Sequence, residues 1–194
     1  MVETTGGPTF TGLMVHRDLT YRYSLLYPEG WHTQELESDG GKGVILSPYP
    51  DDIATSFSAE GRDLGTVVTG DDLPTLREGL KQGLHQLRDL TIEQEEDYNI
   101  GKLVGLEVRY TYRDAADAPD APLRKRWLRL VYQGPIQVRL IAQGEVEAFT
   151  YWLPAFFQAM RTFQFADWWA ELTGHSWVRT LNAEDNPNLV LDDE

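Results

Sequence analysis

Three consecutive segments with a two-residue side-chain period constrain this sequence most. The first, residues 103–113, reads LVGLEVRYTYR, and from Leu106 onward it places its apolar and aromatic side chains on one parity and its polar side chains on the other. Similar alternation continues in residues 123–133 and 136–143, which are joined by the tight turn Gln133-Gly134-Pro135. A two-residue period is typical of a β-strand with one buried face. We therefore predict three consecutive antiparallel strands at the centre of a sheet.

The stretch YRYSLLYPEGWHT, residues 21–33, predicts two further strands around a turn. Pro28 fixes its own φ, and Gly30 accepts the positive φ that closes such a turn. We expect Trp31 to fold back onto the core. An alternative is an exposed ligand platform formed by Trp31 and the tyrosines, but aromatic residues at this density mostly pack cores.

A leucine stripe predicts the first helix, from Asp72 to about Asp89. Its leucines recur at steps of three and four, with Asp72 as N-cap and Pro74 in the first turn; they are Leu73, Leu76, Leu80, Leu84, Leu87 and Leu90. Gly79 and Gly83 each cost a helix about 1 kcal/mol relative to alanine. We therefore expect another element to approach the helix closely at these glycines.

Residues 145–163, EVEAFTYWLPAFFQAMRTF, predict a second helix. One side of this helix carries Val146, Phe149, Leu153, Phe156 and Met160. Pro154 removes a helical hydrogen bond, so we expect either a kink or a helix that begins near Trp152. The following FQF predicts a last edge strand.

These elements indicate an α+β fold with a central antiparallel sheet of about six strands flanked by helices. We divide the chain into an N-terminal arm, residues 1–17, one domain, residues 18–165, and a tryptophan-rich acidic extension, residues 166–194. The extension holds seven acidic residues and one basic residue, a net charge of −6 out of −14 for the chain.

The net charge argues against two classes of partner. Nucleic acids and anionic membranes are bound largely through Lys and Arg, which a charge of −14 disfavours. The sequence has no apolar run long enough to span a membrane and no secretion signal at its start, so we expect a cytoplasmic protein. The absence of cysteine excludes disulfides, thiolate metal sites and lipidation through Cys.

The residue types used in catalysis or metal binding are scattered. His16, His32, His85 and His175 stand alone, without the spacing of a metal site. The acidic run from Glu93 to Asp97 does not match a calcium loop, and Ser176 lacks the setting of a hydrolase nucleophile. We therefore predict no catalytic, metal or cofactor site, and a protein that is not an enzyme.

The basic residues concentrate in one region. They are Arg124, Lys125, Arg126, Arg129 and Arg139. By parity Arg124 and Arg126 share one face of their strand, whereas Lys125 and Arg129 take the other. We favour cross-strand pairing with Glu107, Glu93 or Glu95, and the alternative is a site for an anion or an acidic partner.

The order of these elements resembles the PsbP-like (Mog-like) superfamily. The resemblance covers residues 18–165 and is carried by YPEGW at 27–31, by GLEVRYTY and by FTYWLPAFFQAMRTFQF. The superfamily includes photosystem II extrinsic proteins, a Ran-binding nuclear import factor, bacterial DcrB-type lipoproteins and type VI secretion effector chaperones. It implies an α/β/α sandwich used for binding and scaffolding, without a shared catalytic centre. Only the structural roles of Pro28, Gly30 and Trp31 carry over to this chain.

We expect a non-catalytic interaction module that binds a protein partner, or a second copy of itself as a homodimer. The candidate contact residues are Trp168, Trp169 and Trp177, because tryptophan is enriched where interfaces concentrate binding energy. Alternatively, these tryptophans cap the core of their own domain.

The second hypothesis is a small-ligand binding protein with a pocket between sheet and helix. The aromatic residues that would line this pocket are Tyr110, Tyr112, Trp127 and Tyr132. Ligand pockets are mostly apolar with a few polar groups, and these side chains supply both.

Overall fold

The alternating segments form the strands of a large antiparallel sheet. The computed structural model describes residues 8–100, 103–114 and 121–166. Within these ranges the strands are β1 Leu13–Asp18, β2 Tyr23–Pro28, β3 His32–Ser38, β4 Gly41–Ser47, β5 Ser56–Asp63, β6 Arg88–Ile100, β7 Leu103–Arg113, β8 Arg124–Gln133, β9 Ile136–Glu145 and β10 Gln164–Phe165. The helices are α1 Leu73–Leu84 and α2 Val146–Thr162, and a short 3-10 turn at Gly70–Asp72 precedes α1.

The described residues form two sheets, where the sequence predicted one sheet of about six strands. Seven strands pair in the order β3-β4-β5-β9-β8-β7-β6, and three others pair in the order β1-β2-β10. The three predicted strands β7, β8 and β9 are neighbours, as expected, with Gln133 opposite Ile136 across their tight turn. Strand β1 begins at Leu13, so part of the segment interpreted as an N-terminal arm pairs with β2.

The YPEGW turn connects the two sheets. Strand β2 ends at Pro28 in the small sheet, Gly30 takes a φ of 88°, and β3 starts at His32 in the large sheet. Trp31, between them, is 8% exposed and belongs to the largest core cluster. The prediction that Trp31 packs on the core is confirmed. The turn carries the chain from the small sheet into the large sheet.

The two helices cover opposite faces of the large sheet. Helix α2 and the inner face of the small sheet pack on one face, against Phe57, Trp127 and Leu140. Helix α1 packs on the other face, against Val108 and Tyr110. This arrangement confirms the α/β/α layering; below, the two surfaces of the large sheet are called the α2 face and the α1 face.

Helix α1 ends earlier than the leucine stripe does. Leu73 and Leu84 are buried, and Leu76 and Leu80 are half-buried, as the stripe predicts. The helix stops at Leu84, and strand β6 begins at Arg88. Leu87 and Leu90 still pack against the same apolar cluster. Leu87 and Leu90 continue the leucine pattern beyond the helix because they pack against the same face of the sheet as the leucines of α1.

The close approach expected at Gly79 and Gly83 is wrong. A Cβ built on either glycine meets no atom within 4 Å outside the helix itself. Gly79→Ala is therefore expected to raise the free energy of unfolding by about 1 kcal/mol, because alanine favours the helix and restricts the unfolded chain. Urea unfolding measures the change. Gly43→Ala is the opposing control, since its Cβ would overlap the carbonyl oxygen of Ala59; equal effects of the two substitutions would contradict this reasoning.

Helix α2 contains Pro154 in its interior and begins at Val146, so the alternative start near Trp152 is wrong. Its core side carries Phe149, Ala155, Phe156, Ala159 and Met160. Leu153, predicted to lie on that side, is instead 37% exposed. Small residues at 155 and 159 let the helix lie close to the sheet, which turns Leu153 toward its flank. No helix in the described residues is long and apolar enough to cross a membrane.

Candidate functional site

The structure does not bring the four predicted pocket residues together. Tyr110, Tyr112 and Tyr132 lie on the α1 face, in the clusters beneath α1. Trp127 lies on the α2 face, because its cross-strand partner is Arg109, the neighbour of Tyr110 in the chain. All four side chains are almost fully buried. Successive side chains of a strand point to opposite faces of the sheet. A difference of one position in the register therefore places Trp127 and the tyrosines on opposite sides of the sheet.

The three tyrosines are core residues with polar tips. The rings of Tyr110 and Tyr112 lie 5.4 Å apart, and the guanidinium of Arg126 lies 4.9 Å from the Tyr112 ring centroid. Burial raises the pKa of both phenols, and Arg126 opposes this effect in part. Burial also raises the pKa of Tyr132, whose hydroxyl accepts a hydrogen bond from Gln137 at 2.8 Å. These phenols therefore remain neutral around pH 7 and serve packing.

The tryptophans predicted as partner contacts, Trp168, Trp169 and Trp177, lie outside the described residues. The last described residue is Ala166, whose backbone N–H donates to the carbonyl oxygen of Arg22 at 2.7 Å. This bond fixes the position of Ala166 beside the small sheet.

Two arginine side chains cover the indole of Trp127 on the α2 face. The guanidinium carbon of Arg109 lies 3.9 Å from the ring centroid, and that of Arg129 lies 5.7 Å from it. Both distances fall within the ~6 Å over which a cation is attracted to an aromatic face. The indole Nε1 is buried and has no hydrogen-bond acceptor among the described residues. The stacking of Arg109 on Trp127 cannot be predicted from the sequence, because it depends on the register between β7 and β8.

Glu107 contacts both arginines: Arg109 lies two residues further along the same strand, and Arg129 lies opposite Glu107 on β8. Its Oε2 accepts a hydrogen bond from Nε of Arg129 at 2.7 Å, and its Oε1 lies 3.3 Å from Nη2 of Arg109. Arg129 also donates from Nη1 to the carbonyl oxygen of Met160, near the end of α2, at 2.8 Å. Hydrogen bonds between charged groups are stronger than neutral ones. The guanidinium groups are therefore held in one arrangement.

Side chains of helix α2 lie beside the basic residues of β8. Nζ of Lys125 lies 5.7 Å from the centroid of the Phe149 ring, and the Phe157 ring lies 6.2 Å from the Trp127 ring. Leu153 and Phe157, one helical turn apart, are 37% and 50% exposed. We name this surface the arginine groove; it consists of Arg109, Lys125, Trp127, Arg129, Leu153 and Phe157.

The arginine groove concentrates basic side chains in an acidic chain. Its three cations pair with two carboxylates, Glu107 and Glu93, the latter 2.7 Å from Nζ of Lys125. The pairing of Lys125 with Glu93 and of Arg129 with Glu107 confirms the cross-strand interpretation for these two residues. Arg139 pairs with Glu60 instead. Glu95 instead pairs with Arg77 and Lys81 of α1 on the opposite face. The basic side chains are paired with carboxylates, but they lie beside the exposed side chains of Leu153 and Phe157. They can therefore still bind an acidic partner.

A second concave surface lies between the edge strands of the two sheets. This cleft has a volume of about 640 Å³ and is lined by polar side chains that include His16, Asp18, Glu35, Glu37 and Lys42. Burial lowers the pKa of His16, an effect that Asp18 opposes in part. Carboxylates outnumber the one lysine here, so the cleft favours a cationic ligand over an anionic one. It lies away from every residue of the predicted pocket.

Glu60 is the most deeply buried acidic side chain of the described residues. It accepts hydrogen bonds from Ser38 and Arg139, and one from Arg62 at 3.3 Å. Burial by itself would raise the pKa of this carboxyl, but these partners outweigh it and lower the pKa. The network satisfies a buried charge and has a structural role.

The described residues contain no group of three or more His, Asp or Glu side chains placed to hold a metal ion. Neither protein-family models nor curated protein sequences yield a match to the chain. Solved structures do match. The cyanobacterial PsbP protein (CyanoP) of Synechocystis sp. PCC 6803 covers 85% of this chain and 99% of its own, at 13% identity and a TM-score of 0.56. The chain has the Mog1/PsbP-like fold.

Two other structures share the Mog1/PsbP-like fold with this chain. One is the Ran-binding protein Mog1p of Saccharomyces cerevisiae, at 11% identity and a TM-score of 0.50, with 80% of this chain and 96% of Mog1p covered. The other is LpqN, involved in cell envelope biogenesis of Mycobacterium tuberculosis, at 13% identity and a TM-score of 0.50, with 85% and 88% covered. The fold suggested by YPEGW and the order of elements is thereby confirmed.

Proposed function

We propose that this chain is a non-catalytic protein-binding domain, and that it binds an acidic, aromatic-containing segment of a protein partner in the arginine groove. The observation that carries the proposal is the pair of arginines held over Trp127 beside the exposed Phe157. Arginine and aromatic side chains are the residue types that most often dominate binding energy at protein interfaces.

The arrangement of the groove suits a polar partner with apolar anchors. Glu107 orients the guanidinium groups of Arg109 and Arg129, so little side-chain entropy is lost when a carboxylate binds them. Leu153 and Phe157 offer apolar contact along one side. A partner that carries carboxylates on one flank and an aromatic ring on the other would satisfy both sides of the groove.

One structural neighbour supports a role of this fold in binding. Mog1p is described as a Ran-binding protein, which shows that this fold can serve protein recognition in another chain. Folds host many functions, so the proposal rests on the groove and not on this likeness.

Peptide binding tests the proposal. Fluorescent peptides that combine Asp or Glu with Trp or Phe are titrated into the full chain, and peptides with Lys in place of the acids are the matched set. We expect the acidic peptides alone to bind, and Arg109→Gln and Phe157→Ala each to weaken binding about tenfold, the equivalent of about 1.4 kcal/mol.

The control for these variants is Gln82→Ala, on the exposed side of α1 and on the opposite face of the sheet. It should leave the affinity unchanged. The proposal fails if acidic and basic peptides bind equally, or if the groove variants bind acidic peptides as tightly as the original chain does.

A further inference from the structure

We propose that the chain's own residues 167–194 occupy the arginine groove when no partner is bound. This inference rests on the proposed function, since it takes the groove to be a binding surface. It makes the extension an internal competitor, so that a partner must displace a segment of the same chain before it binds.

The chemistry of the extension matches that of the groove. Residues 167–194 contain seven acidic residues, one basic residue and three tryptophans. The groove offers three cationic side chains and a phenylalanine, Phe157, that is 50% exposed. Carboxylates supply the acceptors that such groups need, and tryptophan supplies the aromatic contact.

The extension also starts close to the groove in the chain. Met160, whose carbonyl oxygen accepts a hydrogen bond from Arg129 in the groove, precedes Ala166 by only six residues. The 28 residues that follow can span up to about 90 Å when extended, at about 3.3 Å per residue. An attached segment also acts at a raised local concentration, which compensates for a weak intrinsic affinity.

A paramagnetic label tests this contact in the full chain, which has no cysteine to interfere. Thr91→Cys places a nitroxide on the exposed edge of the α2 face, since Thr91 pairs with Thr111 and Thr111 pairs with Lys125. Fluorotryptophan gives each indole its own resonance, assigned by single Trp→Phe substitutions. We expect the label to broaden at least one of the resonances of Trp168, Trp169 and Trp177.

Gln82→Cys on α1 carries the same label on the opposite face and is the matched control. It should leave these three resonances sharp. Arg109→Gln, or a rise in ionic strength from about 0.1 M to about 1 M, should reduce the broadening from position 91, because the Debye length falls from about 10 Å to about 3 Å. No broadening from position 91, or equal broadening from both positions, would overturn the inference.

Mixing distinguishes a segment of the same chain from that of a second copy. Labelled protein without fluorotryptophan is combined with unlabelled fluorotryptophan protein; broadening in this mixture would also overturn the inference.

The peptide titration separates the two proposals. If acidic peptides bind the groove while the extension stays sharp, the proposed function stands and the inference fails. A further variant replaces every Asp and Glu of the extension by Asn and Gln, which frees the groove from a charged competitor. If the tryptophan resonances of the extension broaden but no peptide binds even to this variant, the proposed function fails instead.

Discussion

Trp31→Ala is expected to lower the free energy of unfolding by about 3–5 kcal/mol, the largest effect of any single substitution discussed for this chain. Trp31 is almost fully buried and lies in T-shaped contact with two rings of α2, 5.6 Å from Trp152 and 5.9 Å from Phe156. Its removal leaves a cavity at the junction of both sheets and the helix. Urea unfolding followed by circular dichroism measures the change.

Two controls bound this expectation. Trp31→Phe keeps an aromatic ring and removes an indole N–H that has no acceptor among the described residues, so it should cost clearly less than alanine. Leu19→Ala, at a side chain that is 79% exposed, should change the stability by no more than about 0.5 kcal/mol. A Trp31→Ala protein as stable as the Leu19→Ala protein would show that Trp31 does not hold the layers together.

Glu107→Gln is expected to change stability and binding in opposite directions. Glu107 is 7% exposed and is the shared acceptor of Arg109 and Arg129. Loss of its charge leaves Arg129 partly buried without its carboxylate, at a cost of about 2–4 kcal/mol in the free energy of unfolding. The groove meanwhile gains one unit of positive charge. Acidic peptides should therefore bind the folded variant more tightly, because we expect the added charge to outweigh the looser positioning of the two guanidinium groups. Titration at a temperature well below the unfolding midpoint measures the affinity.

Glu96→Gln is the matched control for Glu107→Gln. Glu96 lies opposite Glu107 on edge strand β6 and shares its face of the sheet, but it is exposed and accepts from Gln94 at 2.6 Å instead of from an arginine. It removes the same charge at little cost, about 0.5 kcal/mol or less. Equal stability losses for the two variants would mean that Glu107 does not hold the arginines, and the proposed preorganisation of the groove would then be wrong.

The large sheet and both helices were predictable because their signals are local. The alternation in β7, β8 and β9 gives each strand its buried face, and the two-residue turn after Gln133 fixes the register of β8 against β9. The leucine stripe gave α1, although Leu87 continued the pattern beyond the end of the helix. Pro154 misled the prediction of α2, since the packing of Phe149 and Phe156 on the sheet outweighs the hydrogen bond lost at the proline.

The small sheet and the arginine groove were not predictable, because each depends on contacts between distant segments. Strand β2 pairs with β1 before it and with β10 far along the chain, and its parity does not reveal which sheet it joins. The sequence predicted Trp127 to line one pocket with the tyrosines, but the register of β7 and β8 places Trp127 opposite Arg109 and on the other face. The loop between β7 and β8 does not determine that register, whereas a two-residue hairpin would have.

Strand β6, which ends the large sheet, also limits how two copies of the chain can associate. Its exposed backbone edge is flanked by the side chains of Glu93, Glu95, Glu96 and Asp97. Antiparallel pairing of this edge with the same edge of another molecule would bring two rows of carboxylates together, and charged residues on edge strands protect proteins from such pairing. A dimer that joins two large sheets edge to edge through β6 is therefore disfavoured by repulsion between these carboxylates.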